Sequence, residues 1–307
     1  MIDNACRVAI EAGIDPVVAI SMASLSTAEA FGLDHGCRDP HELRGAIAPG
    51  ERADLLVLND LTFATAPHRV YAAGALVAQD GTFVGEIAPE MAEVAALADE
   101  LRASVKLPKL SLDVFDYAFK PGEAVIDVVP GKAITGMVRP ESAEGLRRIM
   151  LIERHGRGVS LQAEGADGDG PAGLGLVGKH IGRGWVRGLT ITGGAIASTI
   201  GHDSHNVCVV GDNAADMMAA VDAVGQGGHV LVRNGEVVAR IPLALGGLMS
   251  EDVAAQHDDF MVKARAMGIE PPLDPIMGII FLPLPVIPTL RIRPEGMFDV
   301  TTFTYAD

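Results

Sequence analysis

The sequence contains very few cysteines. There are three among 307 residues, Cys6, Cys37 and Cys208, and no two of them form a Cys-x-x-Cys pair. A disulfide framework is built from an even set of cysteines, and a thiolate zinc site is built from such pairs. The cysteine pattern therefore argues against both and is typical of a protein of the reducing cytoplasm.

Positive charge is also scarce. Lys and Arg number 24 against 40 Asp and Glu, which gives a formal net charge of −16 at pH 7. A field of this sign repels phosphate groups, and no basic run in the chain is long enough to neutralise a row of them. We therefore expect no binding to nucleic acid or to an anionic membrane.

Long apolar runs are absent. No run approaches the roughly 18 residues that a membrane-spanning helix needs. The first residues, MIDNACRVAIEAG, place Asp3 and Arg7 among their apolar positions instead of the basic-then-apolar order of a signal peptide. Hydrophobic residues make up 49% of the chain and aromatic residues only 4%, so the sequence predicts a soluble, cytoplasmic protein with an aliphatic core.

The first part of the chain has an alternation of helical and strand patterns. Apolar spacing predicts a helix over 3–13 and two short helices within 15–33, followed by strands that end at the turn Asp80-Gly81. A helix-like, Ala- and Glu-rich stretch over 86–111 then meets the breaker Pro108. These patterns predict a first domain over 1–85 and a linker over 86–120.

The rest of the chain, 121–307, is predicted to form a second domain with a mixed sheet. The local patterns predict strands within 123–140 and 147–153, a strand at 206–211, a helix over 213–225 capped by Asp212, a hairpin about Asn234-Gly235, a helix over 251–267 with Ser250 as its N-cap, and an extended tail over 274–300. The fold class is therefore α+β.

The segment GHDSHN, 201–206, is the most polar part of an otherwise apolar neighbourhood. It holds two imidazoles, a carboxylate, a hydroxyl and a carboxamide, from His202, Asp203, Ser204, His205 and Asn206. A buried polar group without a partner costs about 1–3 kcal/mol, so this turn must be solvated, paired or used. His-x-x-His with one Asp is a weak metal signature. The structural alternative is a turn in which Asp203 caps backbone N–H groups, Asn206 is left-handed and each His bonds a carbonyl.

Other titratable residues give weaker signals. Glu153, Arg154 and His155 follow a predicted strand and could reach a site, but charged residues at a strand end are usually solvated. The remaining histidines are scattered along the sequence, and surface positions are expected for them: His35, His41, His68, His155, His180, His229 and His257.

Two phrases in the first 85 residues, MASLSTAEAFGL and GAIAPGERADLLVL, resemble the end of an amidohydrolase-superfamily chain. There, the last helices of a metal-bearing barrel are followed by strands of a small β-sandwich. Three later phrases resemble the C-terminal domain of the bacterial adenine deaminase family: GAIASTIGHDSHNVCVVGDNAADMMAAV, GGHVLVRNGEVVARIPLALGGLMS and FLPLPVIPTLRIRPEGMFDV. Together the phrases extend over almost the whole chain.

The resemblance implies hydrolysis of adenine to hypoxanthine and ammonia, in adenine catabolism and purine salvage, with divalent manganese or iron as cofactor. The family's metal ligands, which include a His-x-His pair, lie on barrel strands, and the nine histidines here form no such pair. We therefore expect a remnant of the barrel end followed by a complete C-terminal domain, with no metal bound by this chain alone and no activity alone. Either the chain is a fragment or a separate chain supplies the barrel.

Within the resemblance, GHDSHN matches a phrase shared by adenine deaminases. This match implies that the turn faces the barrel mouth, where His202, Asp203 or His205 orients adenine or relays a proton, and where Ser204 and Asn206 contact the substrate. Three alternatives remain: a noncatalytic purine-binding module, an oligomerisation module, and an amidohydrolase that opens a cyclic amide. The expected partners are adenine and either further copies of the chain or a barrel-bearing chain.

Overall fold

The computed structural model describes residues 2–34, 43–86, 98–250 and 253–306. Within it the chain divides into two compact units, Met1–Glu93 and Val94–Asp307. Val114 and Phe115, from the segment predicted to be a linker, are buried in the core of the second unit. The three-part division at residues 85 and 120 stays a prediction.

The first unit begins with the three predicted helices and continues with a small sheet. The helices are α1 (Ile2–Glu11), α2 (Pro16–Ala23) and α3 (Leu25–Ala30), and the strands are β1 (Leu55–Val57), β2 (Arg69–Ala72), β3 (Ala75–Gln79) and β4 (Thr82–Phe83). The strands form an antiparallel sheet in sequence order. Asp15 begins α2 by accepting hydrogen bonds from the backbone N–H groups of Val17 and Val18.

The first unit buries little apolar surface of its own. Of its described apolar residues, only Cys6, Ala19 and Ala28 are buried. Large side chains lie open to solvent instead, and Phe31 and Ile47 are 77% and 90% exposed. The described apolar core of this unit is therefore small.

The second unit is built on an eight-stranded mixed sheet in the order β12-β11-β9-β10-β7-β8-β5-β6. Its strands are β5 (Val125–Val128), β6 (Thr135–Val138), β7 (Leu146–Ile152), β8 (Ile181–Arg187), β9 (Ala195–Ser198), β10 (Val207–Gly211), β11 (Gly228–Arg233) and β12 (Glu236–Pro242). Only the β5–β8 pair is parallel. The predicted α+β class with a mixed sheet is confirmed.

Both faces of this sheet are buried. In β10, Cys208 and Val210 pack into one core and Val207 and Val209 into the other. Strands covered on both faces have continuous apolar sequences, which explains the run VCVVG. The remaining elements of this unit are α4 (Ala98–Arg102), α5 (Leu112–Phe115), α6 (Arg157–Ala163), α7 (Ala214–Val224), α8 (Val253–Ala266), α9 (Pro275–Ile280), and an antiparallel sheet of β13 (Leu290–Arg293), β14 (Gly296–Asp299) and β15 (Thr304–Tyr305).

Four local predictions differ from the structure or lie outside its described part. Asn213, not Asp212, caps α7, since its side chain accepts from the backbone N–H of Asp216. Residues 103–111 are not helical, and the predicted helix keeps only α4 among the residues described there. The tail is not extended throughout, because Asp274 and Pro275 start α9. Ser250 is described, but Glu251 and Asp252 are not, so its capping role stays a prediction.

None of the helices in the described ranges is long and apolar enough to cross a bilayer. The longest in the second unit, α8, has 14 residues and contains Asp, Lys and Arg side chains.

Candidate functional site

Several strands of the large sheet begin or end at the same end of the sheet, and buried polar residues are concentrated there. We call this region the polar edge. Ile152 at the end of β7 pairs with Val207 at the start of β10, and Ser198 at the end of β9 pairs with His229 in β11. Of the ten buried polar residues in the described part of the chain, six lie at this polar edge: Glu153, Arg154, Ser198, Thr199, Asn206 and His229.

The segment 201–206 connects β9 to β10 along the polar edge, and the structure divides its side chains into an outer and an inner set. His202 and Asp203 are exposed, and Ser204 and His205 are half-buried. Asn206 is buried. The five residues predicted from the sequence therefore lie together, but only the outer pair is exposed.

Backbone hydrogen bonds fix the outer part of the turn. The N–H of His202 donates to the carbonyl of Ile280 at 3.2 Å, and the His202 ring lies 5.5 Å from that of Phe281. The N–H of Ser204 donates to Asp203 Oδ1 at 2.7 Å, so Asp203 does cap a backbone group. The left-handed residue is His205, with φ of 48°, rather than Asn206 as the structural alternative predicted.

Arg154 holds the turn through hydrogen bonds made from the interior of the fold. It is buried, and its Nε donates to the carbonyl of His205 while its Nη1 donates to the carbonyl of Gly246 at 2.9 Å. A Cβ at Gly247, whose φ is +71°, would collide with this guanidinium, so glycine is required there. The expectation that strand-end charges are solvated is wrong for Arg154, because its donors join two loops that meet inside the fold.

Glu153 is buried beside it and serves a different purpose. Its carboxylate accepts the backbone N–H groups of His155 at 2.6 Å, Arg157 at 3.0 Å and Gly158 at 3.3 Å. These groups lie at the start of α6, where free donors and the helix dipole favour a negative charge. The expectation that Glu153 is solvated is also wrong, because its carboxylate accepts the free backbone N–H groups at the start of this helix.

Replacing Glu153 with Gln is expected to lower the free energy of unfolding of the second unit by about 2 kcal/mol, because an amide keeps one acceptor oxygen and turns an NH₂ group toward N–H donors. Urea unfolding followed by the fluorescence of Trp185, the only tryptophan in the chain, measures this. The control is Glu164→Gln, an exposed carboxylate just after α6. Equal midpoints for the two variants would refute the assigned role of Glu153.

His155 approaches the turn from the strand end. Its Nε2 lies 3.0 Å from the carbonyl oxygen of Ser204, and its side chain borders a depression of about 240 Å³ that Lys106 also lines. The structure therefore joins Arg154 and His155 to the predicted turn, although 45 or more residues separate them in sequence.

Three buried atoms at the polar edge have no hydrogen-bond partner among the residues that the structure describes: His205 Nδ1, Asn206 Oδ1 and His229 Nδ1. Burial, followed by the charge of Arg154, lowers the pKa of His205. Burial also lowers the pKa of His229, to about 4. Both rings are therefore neutral near pH 7, and they can exchange hydrogen bonds but carry no charge.

His229 was expected at the surface and is 4% exposed. The expectation failed because His229 shares the strand β11 with Val230, Leu231 and Val232, which are all buried on a sheet covered on both faces. Thr199 was also missed. Its hydroxyl donates to the carbonyl of Gly247 at 2.6 Å and accepts the N–H of Gly228 at 2.8 Å.

Metal binding by the turn lacks support in the geometry. Throughout the ranges that the structure describes, no three His, Cys, Asp or Glu side chains are grouped so that they could hold a metal ion. The two histidines of the turn have different surroundings. His202 is exposed and lies beside Phe281, whereas His205 lies beside Arg154.

Comparison with known proteins finds similarity over nearly the whole chain. Residues 177–304 match the family described as the adenine deaminase C-terminal domain. The chain is 37% identical over 318 residues to an adenine deaminase of Nitratidesulfovibrio vulgaris strain DP4, and the match covers 99% of this chain and 50% of that protein. It is 37% identical over 323 residues to an adenine deaminase of Gluconobacter oxydans, with 99% and 50% covered. For an adenine deaminase of Halalkalibacterium halodurans, identity is 32% over 325 residues, with 100% and 50% covered. The chain thus spans about half the length of these relatives.

Proposed function

We propose that this chain, which corresponds to the C-terminal portion of bacterial adenine deaminases, completes an active site that hydrolyses adenine to hypoxanthine and ammonia. The other half of the protein would bring the divalent metal, manganese or iron, which supplies hydroxide at neutral pH. This chain alone would be inactive. The assembled enzyme would work in the cytoplasm, in purine salvage.

The polar edge carries this proposal. Its buried residues hold the turn, while His202 and Asp203 are exposed, where a substrate could reach them. Buried polar frameworks of this kind fix the residues that they support, and such fixed geometry is what substrate orientation requires.

The roles differ between the outer and inner residues. In adenine deamination a C–O bond replaces the C–N bond at C6, and the leaving nitrogen takes up a proton to depart as ammonia. His202 and Asp203 would hold the purine or pass this proton, since an imidazole and a carboxylate can each accept and donate one. Ser204, half-buried, would contact the ring. His205 and Asn206 would act as positioning residues behind this surface.

The exposed apolar surface of the first unit supports a partner. A groove of about 460 Å³ there is lined by Ile20, Leu33, Ile47, Leu56 and Phe63. Leaving such surface in water costs about 25 cal/mol per Å², so we propose that the half of the protein absent from this sequence covers it. That half would be the barrel, in the same polypeptide or in a separate chain, whereas further copies of this chain are the alternative occupant.

The functional test uses a chimera in which residues 2–306 replace the corresponding half of the Nitratidesulfovibrio vulgaris relative. His202→Gln and Asp203→Asn, both at exposed positions, are each expected to lower kcat for adenine at least 10-fold, with unchanged metal content and unfolding midpoint. The control is His257→Gln on α8, whose side chain is 43% exposed and which should retain full turnover. Unchanged kcat and KM in both turn variants would refute the proposed roles.

A further inference from the structure

The exposed side chain of His202 lies against the ring of Phe281. Among the described residues its imidazole takes part in no hydrogen bond or ion pair, and the two ring centroids are 5.5 Å apart with 34° between the ring planes. Aromatic pairs attract each other over roughly 4.5–7 Å in such offset arrangements. Because an exposed side chain otherwise changes rotamer within picoseconds to nanoseconds, this ring contact restricts the imidazole.

The backbone of Phe281 is fixed from the interior of the fold. Its carbonyl accepts hydrogen bonds from Nη1 of Arg291 at 2.9 Å and from the N–H of Leu284 at 3.1 Å. The next carbonyl, of Leu282, accepts the N–H of Ile292 in β13 at 3.1 Å. Arg291 is completely buried, and its other hydrogen bonds also go to backbone carbonyls. The half-buried ring of Phe281 therefore extends from a backbone that is anchored in the core.

The backbone also joins the turn to the segment that contains Phe281. Helix α9 packs against β9 and β10, the two strands that the turn connects. At the end of this helix, the carbonyl of Ile280 accepts the N–H of His202 at 3.2 Å. His202 is thus bound through its backbone to the residue before Phe281, and its ring lies beside the Phe281 ring. A group restricted in this way before the substrate binds loses less freedom when it reacts.

We infer that Phe281 is a positioning residue for the proposed deamination, and that its ring sets the orientation of the His202 imidazole. The inference rests on the proposed function, because the role of His202 comes from there. Phe281 needs no contact with the purine, since its effect passes through His202. Misplacement of a reacting group by about 1 Å lowers a rate by up to about 100-fold. An imidazole that is released but still present should cost less than its removal.

The chimera with the Nitratidesulfovibrio vulgaris relative tests this coupling. Phe281→Leu and Phe281→Met both remain apolar but have no ring, and each is expected to lower kcat for adenine about 3- to 10-fold with unchanged metal content. Phe281→Tyr keeps the ring and should retain most of the turnover. The control is Phe303→Leu, which removes a ring 5.1 Å from that of Phe298 in the three-stranded sheet and should leave kcat unchanged.

A double variant separates positioning from a purely structural role. In a chimera that already contains His202→Gln, Phe281→Leu should cause no further loss of kcat, because the effects of residues that act through one another do not add. An equal loss with and without the His202 imidazole would overturn the inference and make Phe281 a structural residue only. A loss in His202→Gln without any loss in the two ringless variants would overturn it as well.

A spectroscopic readout needs no turnover. In the whole chain with ¹³C-labelled histidine rings, the His202 signal is identified by its loss in His202→Gln. Phe281→Leu should move this signal, because an aromatic ring shifts the resonances of nuclei that face it, whereas Phe281→Tyr and Phe303→Leu should leave it nearly in place. A signal that Phe281→Leu does not move would refute the ring contact. Full turnover in His202→Gln would instead refute the proposed role of His202 and, with it, this inference.

Discussion

Replacing Arg154 with Met is expected to lower the free energy of unfolding of the second unit by about 3–5 kcal/mol, a large part of the 5–15 kcal/mol that a domain has. Met fills a similar volume but donates no hydrogen bond. The carbonyls of His205 and Gly246, which the guanidinium now satisfies, would be left in the interior without their donor. Urea unfolding followed by Trp185 fluorescence measures the loss.

The same substitution tests how the turn is held. Because Arg154 is the described side chain that joins the turn to the loop containing Gly246, its loss should also release His202 and Asp203 from their fixed positions. The control is Arg293→Met, whose guanidinium lies 3.7 Å from Glu295 in a partly exposed ion pair and should cost less than about 1 kcal/mol. Equal stabilities of the two variants would contradict the role assigned to Arg154.

Protonation of His229 is expected to lower the free energy of unfolding of the second unit by about 2–3 kcal/mol as the pH is lowered from 7 to 4.5. This figure is the contribution of His229 and includes no other titrating group. Burial holds the pKa of this residue at about 4 in the folded protein, whereas in the unfolded chain the pKa returns to the ordinary histidine value of about 6.5. Between these values the unfolded state binds the proton and the folded state does not. Stability is therefore complete above pH 6.5, falls with acidification and levels off below the folded pKa.

His229→Phe should remove this component, since Phe does not titrate and can pack against Phe260, whose ring lies 6.1 Å from that of His229. The free energy of unfolding is measured at pH 7 and at pH 4.5 for the unchanged protein and for His229→Phe. The loss between the two pH values is then compared between the two proteins. His257→Gln, at a half-buried histidine whose charge lowers the pKa of His229 less than burial does, should keep most of the pH dependence. A loss on acidification as large in His229→Phe as in the unchanged protein would show that His229 is not the titrating group.

Patterns within a few residues predicted much of the fold. The run NVCVVG predicted β10, and Asn234-Gly235 predicted the hairpin of β11 and β12, where both residues have positive φ. The turn GHDSHN was identified because its polarity contrasts with its neighbours. These features depend on local backbone preferences and on apolar periodicity, and a single sequence displays both.

The partners of the turn could not be predicted, because they depend on strand register. Arg154 and His155 reach the turn only since β7 and β10 pair so that Ile152 faces Val207. The error at Asp212 has the same cause. Its oxygens accept the N–H groups of Gly193 and Gly194, which lie 19 and 18 residues away, and the capping of α7 is left to Asn213. Tertiary contacts here decide between two residues with similar local preferences.

The most direct test of the central claim is adenine turnover by this chain alone and by the chimera that contains the other half of a relative, each with added manganese or iron. We predict ammonia release by the chimera, a large loss of kcat in its His202→Gln variant, and none above background by residues 1–307 alone. Turnover of adenine by the isolated chain, or full turnover by a chimera lacking the His202 imidazole, would contradict the account.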